Sequence, residues 1–312
     1  MWNALVNLAW GGISVAGVGV GGDDVRAGVA FRDAGGLGVD MSRVARIRGL
    51  PTITMHHFPI PTEGSSLGRY CTRSRCPCCG GLPRSTVLDA CADIVAGPSR
   101  FAFPRPALFL ADKLTIRTAA WAGELGAAGW TTIVDIGYPG YLNFRSPQTL
   151  LGQLSPFGVI VMQATVARFL ARRLCCDAET LAATLDAIII VSDGRHGLFG
   201  IDGRGRGTRR FDVVAPECEV IDSVGAGDAF VAGLLGAMLG SGHTAGQVEG
   251  STEQIRQWCV AAVSATRPVL AVVGPRGHLP GALVVPEQHN EWDGRECCVV
   301  CGARARPAPP TR

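Results

Sequence analysis

The sequence predicts an α/β fold in which a mostly parallel sheet is covered by helices on both faces. Two observations lead there: segments with helical periodicity alternate with short, wholly apolar runs, and those runs stop at loops of Gly, Asp and Ser. A third is composition. The 312 residues are 47% hydrophobic and 18% charged, which supplies a buried core and excludes wholesale disorder. The 42 glycines keep no strict period and the 12 cysteines are too dilute for a short secreted framework, so collagen-like and disulfide-scaffold classes are excluded. A net charge of +3 gives no reason to expect a nucleic-acid or membrane partner.

Residues 1–22 carry no charged side chain. A signal peptide or membrane span would want a basic leading region and an unbroken apolar core, whereas this stretch holds six glycines between Gly11 and Gly22 and the polar Asn3, Asn7 and Ser14. Leu5, Leu8 and Ala9 follow helical spacing up to a turn at Gly11-Gly12, and residues 13–20 then read as a buried strand closing in Gly21-Gly22-Asp23-Asp24. Without an export signal the expected compartment is the reducing cytoplasm, with cysteines as free thiols or metal ligands. The helix-then-strand pattern recurs at 115–128 and 131–136, and again at 178–185 and 187–191, the last stopped at Ser192-Asp193-Gly194. Trp10, Trp121 and Trp130 are expected in the core.

Two stretches break the rhythm. Residues 51–85, rich in Pro, Cys, Ser and Arg, read as an irregular insert, and residues 286–312 as a polar tail ending in a Pro/Arg-rich run. Arg204, Arg206, Arg209 and Arg210 lie between two strand-like runs, so a solvated hairpin turn explains them better than an RNA-binding tract. His56-His57 and His196 have no partner at metal-ligand spacing and read as loop histidines.

The most informative stretch is Asp222-Ser223-Val224-Gly225-Ala226-Gly227-Asp228-Ala229-Phe230, followed by an apolar helix through Leu239. Small residues leave backbone N–H groups free to converge, and the following helix adds its N-terminal dipole, so the turn suits an anion. Asp228 then has two readings. Beside a phosphate a carboxylate is repelled unless it has a task, and accepting a proton from an attacking hydroxyl is such a task. Equally, Asp is a favoured helix N-cap.

These residues resemble the C-terminal signature of the ribokinase-like (PfkB) carbohydrate kinase family. The likeness extends to Asn3 through Gly12, to Val15-Ala-Gly-Val-Gly19 with Gly22-Asp23-Asp24, to Gly36-Leu-Gly-Val-Asp40, to Leu50-Pro-Thr52, and to Val191-Ser192-Asp-Gly194-Arg-His-Gly197, which resembles the family's nucleotide loop. The resemblance implies a three-layer α/β/α sandwich over 1–285, followed by the tail. It also implies transfer of phosphate from Mg·ATP to a hydroxyl of a sugar or nucleoside, with positioning and charge stabilisation as the main catalytic effects. Asp228 would be the general base, the backbone of Gly225, Ala226 and Gly227 the anion hole, and Ser192, Gly194 and Gly197 the ATP site. Asp222 and the Val224 carbonyl would match a monovalent-cation site, taking K⁺, and Asn3 a residue at the sugar pocket.

The family pattern is broken in four places. No first strand, acceptor-binding Asp or Gly-Gly pair precedes Asn3, so the chain resembles an N-terminally truncated, divergent member. Asp135-Ile-Gly137 stands where many members have Asp-x-Asn, Met162-Gln163-Ala164-Thr165 where they have Asn-x-x-Glu, and 53–85 does not resemble the lid strands. A catalytically impaired relative that still binds nucleotide therefore fits the same residues. Seven cysteines cluster at Cys71 to Cys79 and Cys297 to Cys301, and Cys76-x-x-Cys79-Gly and Cys298-x-x-Cys301-Gly each have the form of half a zinc knuckle. Roughly 200 residues separate them, far beyond an ordinary zinc ribbon, so free thiols are the plainer expectation and a zinc-binding interaction protein the third function class.

Overall fold

The computed structural model describes residues 2–46, 48, 56–62, 65–73, 108–137, 142, 145–205, 207–242, 248, 250–272 and 278–279. It forms two compact units, one of Met1–Val15 with Ala96–His278 and one of Ala16–Val95 with Leu279–Arg312. The first opens with helix α1 (Trp2–Trp10). It continues with β5 (Leu108–Ala111), α3 (Ile116–Ala127), β6 (Thr131–Ile136), α4 (Pro147–Leu154), β7 (Val159–Gln163), α5 (Ala164–Leu174), α6 (Ala178–Leu185) and β8 (Ile188–Ser192). Then come β9 (Leu198–Asp202), β10 (Arg209–Val213), α7 (Ala226–Gly240), α8 (Thr252–Ala265) and the short α9 (Arg267–Leu270).

These strands form one six-stranded sheet in the order β10-β9-β8-β7-β6-β5. Strands β5 to β8 are parallel, as helical crossovers require, and β9 and β10 close one side as an antiparallel hairpin. Side chains of a strand alternate between faces, and the buried residues sort accordingly. Val134, Ile136, Ile160, Met162, Ile189 and Val191 join one core with Leu150, Leu154, Val166, Leu170 and Leu181 of the covering helices. Ile133, Val159, Val161, Ile188 and Ile190 join the other, with Leu8, Phe230, Leu234, Ile255 and Trp258. Two cores on opposite faces of one sheet make a three-layer sandwich, and they explain why the strands read as unbroken apolar runs.

The helices begin where side chains can satisfy their leading amides. Thr115 and Thr118 form a reciprocal capping box on α3, Ser146 caps α4, Asp177 caps α6 and Ser251 caps α8. The α5 and α7 helices start without a side-chain cap.

The second unit contains β1 (Val15–Gly21, beginning at the junction), α2 (Val25–Gly36) and β2 (Val39–Arg46). Asp24 of the Gly-Asp-Asp loop caps α2 by accepting from the Ala27 amide at 2.9 Å. Among the described residues β1 pairs with β2 in a separate two-stranded sheet rather than joining the six-stranded one. Part of the stretch expected to be irregular is an antiparallel hairpin, β3 (His56–Thr62) with β4 (Ser65–Arg73), so His56 and His57 sit on a strand rather than in a loop. Backbone pairing there overrides a composition that shows no alternation. Cys71 lies on β4; the other clustered cysteines, and with them the zinc expectation, lie outside the described residues.

Two further expectations need correcting. Trp121 is buried and Trp130 partly so, but Trp10, at the last position of α1, is 52% exposed. The β9–β10 hairpin forms as expected, yet Arg204 in its turn is not merely solvated. Its guanidinium binds Asp202 at 2.8 and 3.0 Å and donates to the carbonyls of Val248 and Gly250.

Candidate active site

Strands β5 to β8 run in one direction, so their C-terminal ends gather at one end of the sheet, the end where open α/β sheets bind ligands. Asp112 follows β5, Asp135 is the penultimate residue of β6, Gln163 ends β7 and Ser192 ends β8. Ser192 pairs with Leu198 of β9, which pairs with Val213 of β10, so the chain leaves the sheet at that same end on its way to α7.

The lead-in to α7 is pinned from two sides. Asp222 is buried and its Oδ1 accepts from the Val224 amide at 2.9 Å. The amides of Ile221 and Asp222 both donate to the carbonyl of Leu270, at 2.8 and 3.3 Å. Gly225 is the N-cap, with φ of 88°, a left-handed conformation that glycine adopts without strain. The first helical bond runs from the Ala229 amide to the Gly225 carbonyl at 2.9 Å, so the amides of Gly227 and Asp228 come before the helical ladder begins. Asp228 is therefore not the cap, which removes that reading of its carboxylate. It occupies the first turn, where the helix dipole favours negative charge. Asn3 Nδ2 donates to Asp228 Oδ2 at 3.0 Å, bringing together two expected site residues 225 positions apart.

A further carboxyl of note belongs to this end of the sheet. Asp135 is pushed up from 3.8 to about 7, first by burial and then by the charge of Asp228, with a further contribution from Asp112. Sequence reasoning treated Asp135 only as the surviving residue of a broken motif. Its position at the end of an apolar strand was the available signal.

The expected nucleotide loop follows β8. Ser192 Oγ donates to the Met162 carbonyl at 3.4 Å, and a single 3₁₀ turn covers Gly194–His196, with His196 exposed as expected. The turn closes through Asp193 N–H to the Gly197 carbonyl at 2.8 Å and Gly197 N–H to the Gly194 carbonyl at 3.0 Å. Gly197 has φ of 86°, and a Cβ there would overlap the Val213 carbonyl, so only glycine lets the loop lie against the exit of β10. Met162 is 2% exposed and packs in the core, while Thr165 is an exposed residue of α5. Neither supplies a carboxylate to the site. Among the described residues no group of three or more His, Cys, Asp or Glu is placed to hold a metal ion.

Residues 173–249 match the model of the pfkB family carbohydrate kinases. That span contains both glycine-rich loops of the site. Over 100 residues, 31% of this chain, the sequence is 35% identical to acarbose 7(IV)-phosphotransferase of Actinoplanes sp., and the match spans 32% of that relative's length. The pfkB-like fold reaches further than the sequence match. The structure is similar to a nucleoside kinase of Burkholderia thailandensis solved with inosine, with a TM-score of 0.65 and 18% identity over 89% of this chain and 80% of that one. It is also similar to a fructokinase of Xylella fastidiosa with bound ATP, at 0.65 and 22% over 89% and 86%. A third likeness is to the aminoimidazole riboside kinase of Salmonella enterica complexed with aminoimidazole riboside and an ATP analogue, at 0.63 and 19% over 89% and 87%. At these identities the likeness is one of fold, and the chain is a divergent representative of it.

Proposed function

We propose that the chain transfers the γ-phosphoryl group of ATP to a hydroxyl of a sugar or sugar-like small molecule, nucleosides included. The observation that carries this reading is Asp228 in the first turn of α7, beside leading amides that no side chain caps. Asp228 takes the proton of the acceptor hydroxyl, whose oxygen is then free to attack phosphorus. The amides of Gly225, Ala226 and Gly227 stabilise the charge that develops on the transferred group. Ser192, Gly194 and Gly197 line the nucleotide, and Asn3 sits at the acceptor side through its bond to Asp228. The fructokinase solved with ATP and the phosphotransferase match support the reaction class.

Magnesium fits this site poorly as a protein-held ion, because Met162 is core and Thr165 lacks a carboxylate. A nucleotide can bring Mg²⁺ with most of its ligands from phosphate and water, so no step of the proposal needs a protein-built metal site. Asp222 and Val224 are our proposal for a K⁺ site. The buried Met162 equally favours a second reading, a relative that binds nucleotide but turns it over poorly.

One assay separates the two. ADP release is measured against a panel of sugars and nucleosides in MgCl₂, with and without KCl, for the wild type and Asp228→Asn. Acceptor-dependent turnover that falls about 10²- to 10⁴-fold in Asp228→Asn is the expected result. Turnover no higher in the wild type than in the variant, with ATP still bound, establishes the second reading.

A further inference from the structure

Helix α1 places Asn3 and Asn7, one turn apart, on a single face. Asn3 reaches Asp228, and Asn7 Nδ2 donates to the Asn3 carbonyl at 2.9 Å. That second bond fixes the Asn7 amide: with Nδ2 committed as donor, Oδ1 is the acceptor. His278 Nε2, 2.9 Å from Asn7 Oδ1, therefore carries the hydrogen. The same assignment leaves His278 Nδ1 as a bare lone pair, buried and without a partner among the described residues. Burial pushes the His278 pKa down, so the ring stays neutral and the tautomer holds.

Among the described residues the ring makes one side-chain hydrogen bond, to Asn7, 271 positions away along the chain. What that bond secures is the first turn of α1. First turns fray, and Asn3, whose side chain holds Asp228, lies in one. The Asn7 side chain clamps the Asn3 carbonyl, and His278 keeps the Asn7 amide from turning over.

We infer that Asn7 and His278 are positioning residues, which hold Asn3 and, through it, the Asp228 carboxylate in the orientation that takes up the acceptor proton. The inference rests on Asp228 being the base. It goes beyond that reading by assigning a role to two residues that touch no reacting atom.

The test compares full-length wild type with Asn7→Leu, His278→Leu and His278→Gln, Gln keeping an N–H able to reach Asn7 Oδ1. Thermal melting confirms that each variant is folded. Both Leu variants should lose kcat by about fivefold, the value of one hydrogen bond, with KM for ATP moving less than about twofold, and His278→Gln should recover most of the loss. Wild-type kcat in the Leu variants overturns the inference, as does a loss that His278→Gln fails to restore. A second measurement does not depend on turnover: the side-chain amide resonances of Asn3 should shift in His278→Leu and return in His278→Gln. If the wild type phosphorylates no acceptor, the phosphotransfer reading fails while this measurement still decides the relay, unmoved Asn3 resonances overturning it.

Discussion

At the scale of single residues, the environment of Asp135 alters its chemistry strongly. Burial and the Asp228 charge raise its carboxyl to about 7, so the folded chain holds a proton that the unfolded chain releases near 3.8. Between these values the folded state binds more protons, and stability must fall as pH rises from about 4 through about 7. Asp135→Asn removes the ionisation. Its melting temperature should be flatter across that window and exceed the wild type at pH 8, by roughly 2–4 °C for each kcal/mol of relieved strain. A variant that melts with the wild-type pH slope would mean that Asp135 is not the group responsible. This residue also shows where sequence reading stops. Asp228 and Asn3 were legible because each sits in a recognisable motif, whereas the influence of Asp135 depends on two strand ends meeting a helix N-terminus far along the chain. The exposure of Trp10 was illegible for a related reason: helical spacing reports which residues share a face, not what covers the last turn.

At the scale of elements, the β9–β10 hairpin is fastened to α8 by a buried charge at the sheet end opposite the site. Asp202 is 0% exposed and pairs with Ile188 at the start of β8. Burial alone would raise its carboxyl, but hydrogen bonds from Arg204 and Thr252 hold it below the ordinary value. Arg204 in turn spans to Val248 and Gly250, which lead into α8. Removing one partner of such a pair strands the other, so Asp202→Ala should cost about 3 kcal/mol in urea denaturation. On the proposed function, nucleotide affinity should survive in the folded fraction, because the network lies away from Ser192 and Gly197. In the sequence these arginines read as a solvated turn, since the carbonyls that recruit Arg204 lie 44 and 46 residues away. The elements with clean periods were legible almost to the residue: 131–136 and 178–185 are the observed β6 and α6. The β3–β4 hairpin was not, because prolines at 59 and 61 and the adjacent histidines erase the alternation that marks a strand.

At the scale of the molecule, the sheet's parallel strands were evident from their apolar runs, and those runs are apolar because each strand feeds two cores at once. The separate pairing of β1 with β2 was not evident, since an apolar run carries no mark of which sheet will claim it. The described sheet ends on one side at β10, a five-residue strand with Arg209, Arg210 and Asp212 exposed along it. Arg210 reaches Glu179 of α6 at 3.1 Å and lies over the Phe199 ring at 4.3 Å, so charge and a covering side chain occupy the hydrogen-bonding border. A short border strand crowded with charge is a poor template for a strand of another molecule. Replacing Arg209 and Arg210 together by Val should leave the circular dichroism unchanged while light scattering rises with concentration and time. If the double variant stays as monodisperse as the wild type, those arginines have no part in keeping neighbours apart. If scattering does rise, this arginine-rich tract acts on colloidal behaviour rather than on recognition, keeping the sheet borders of neighbouring molecules from pairing.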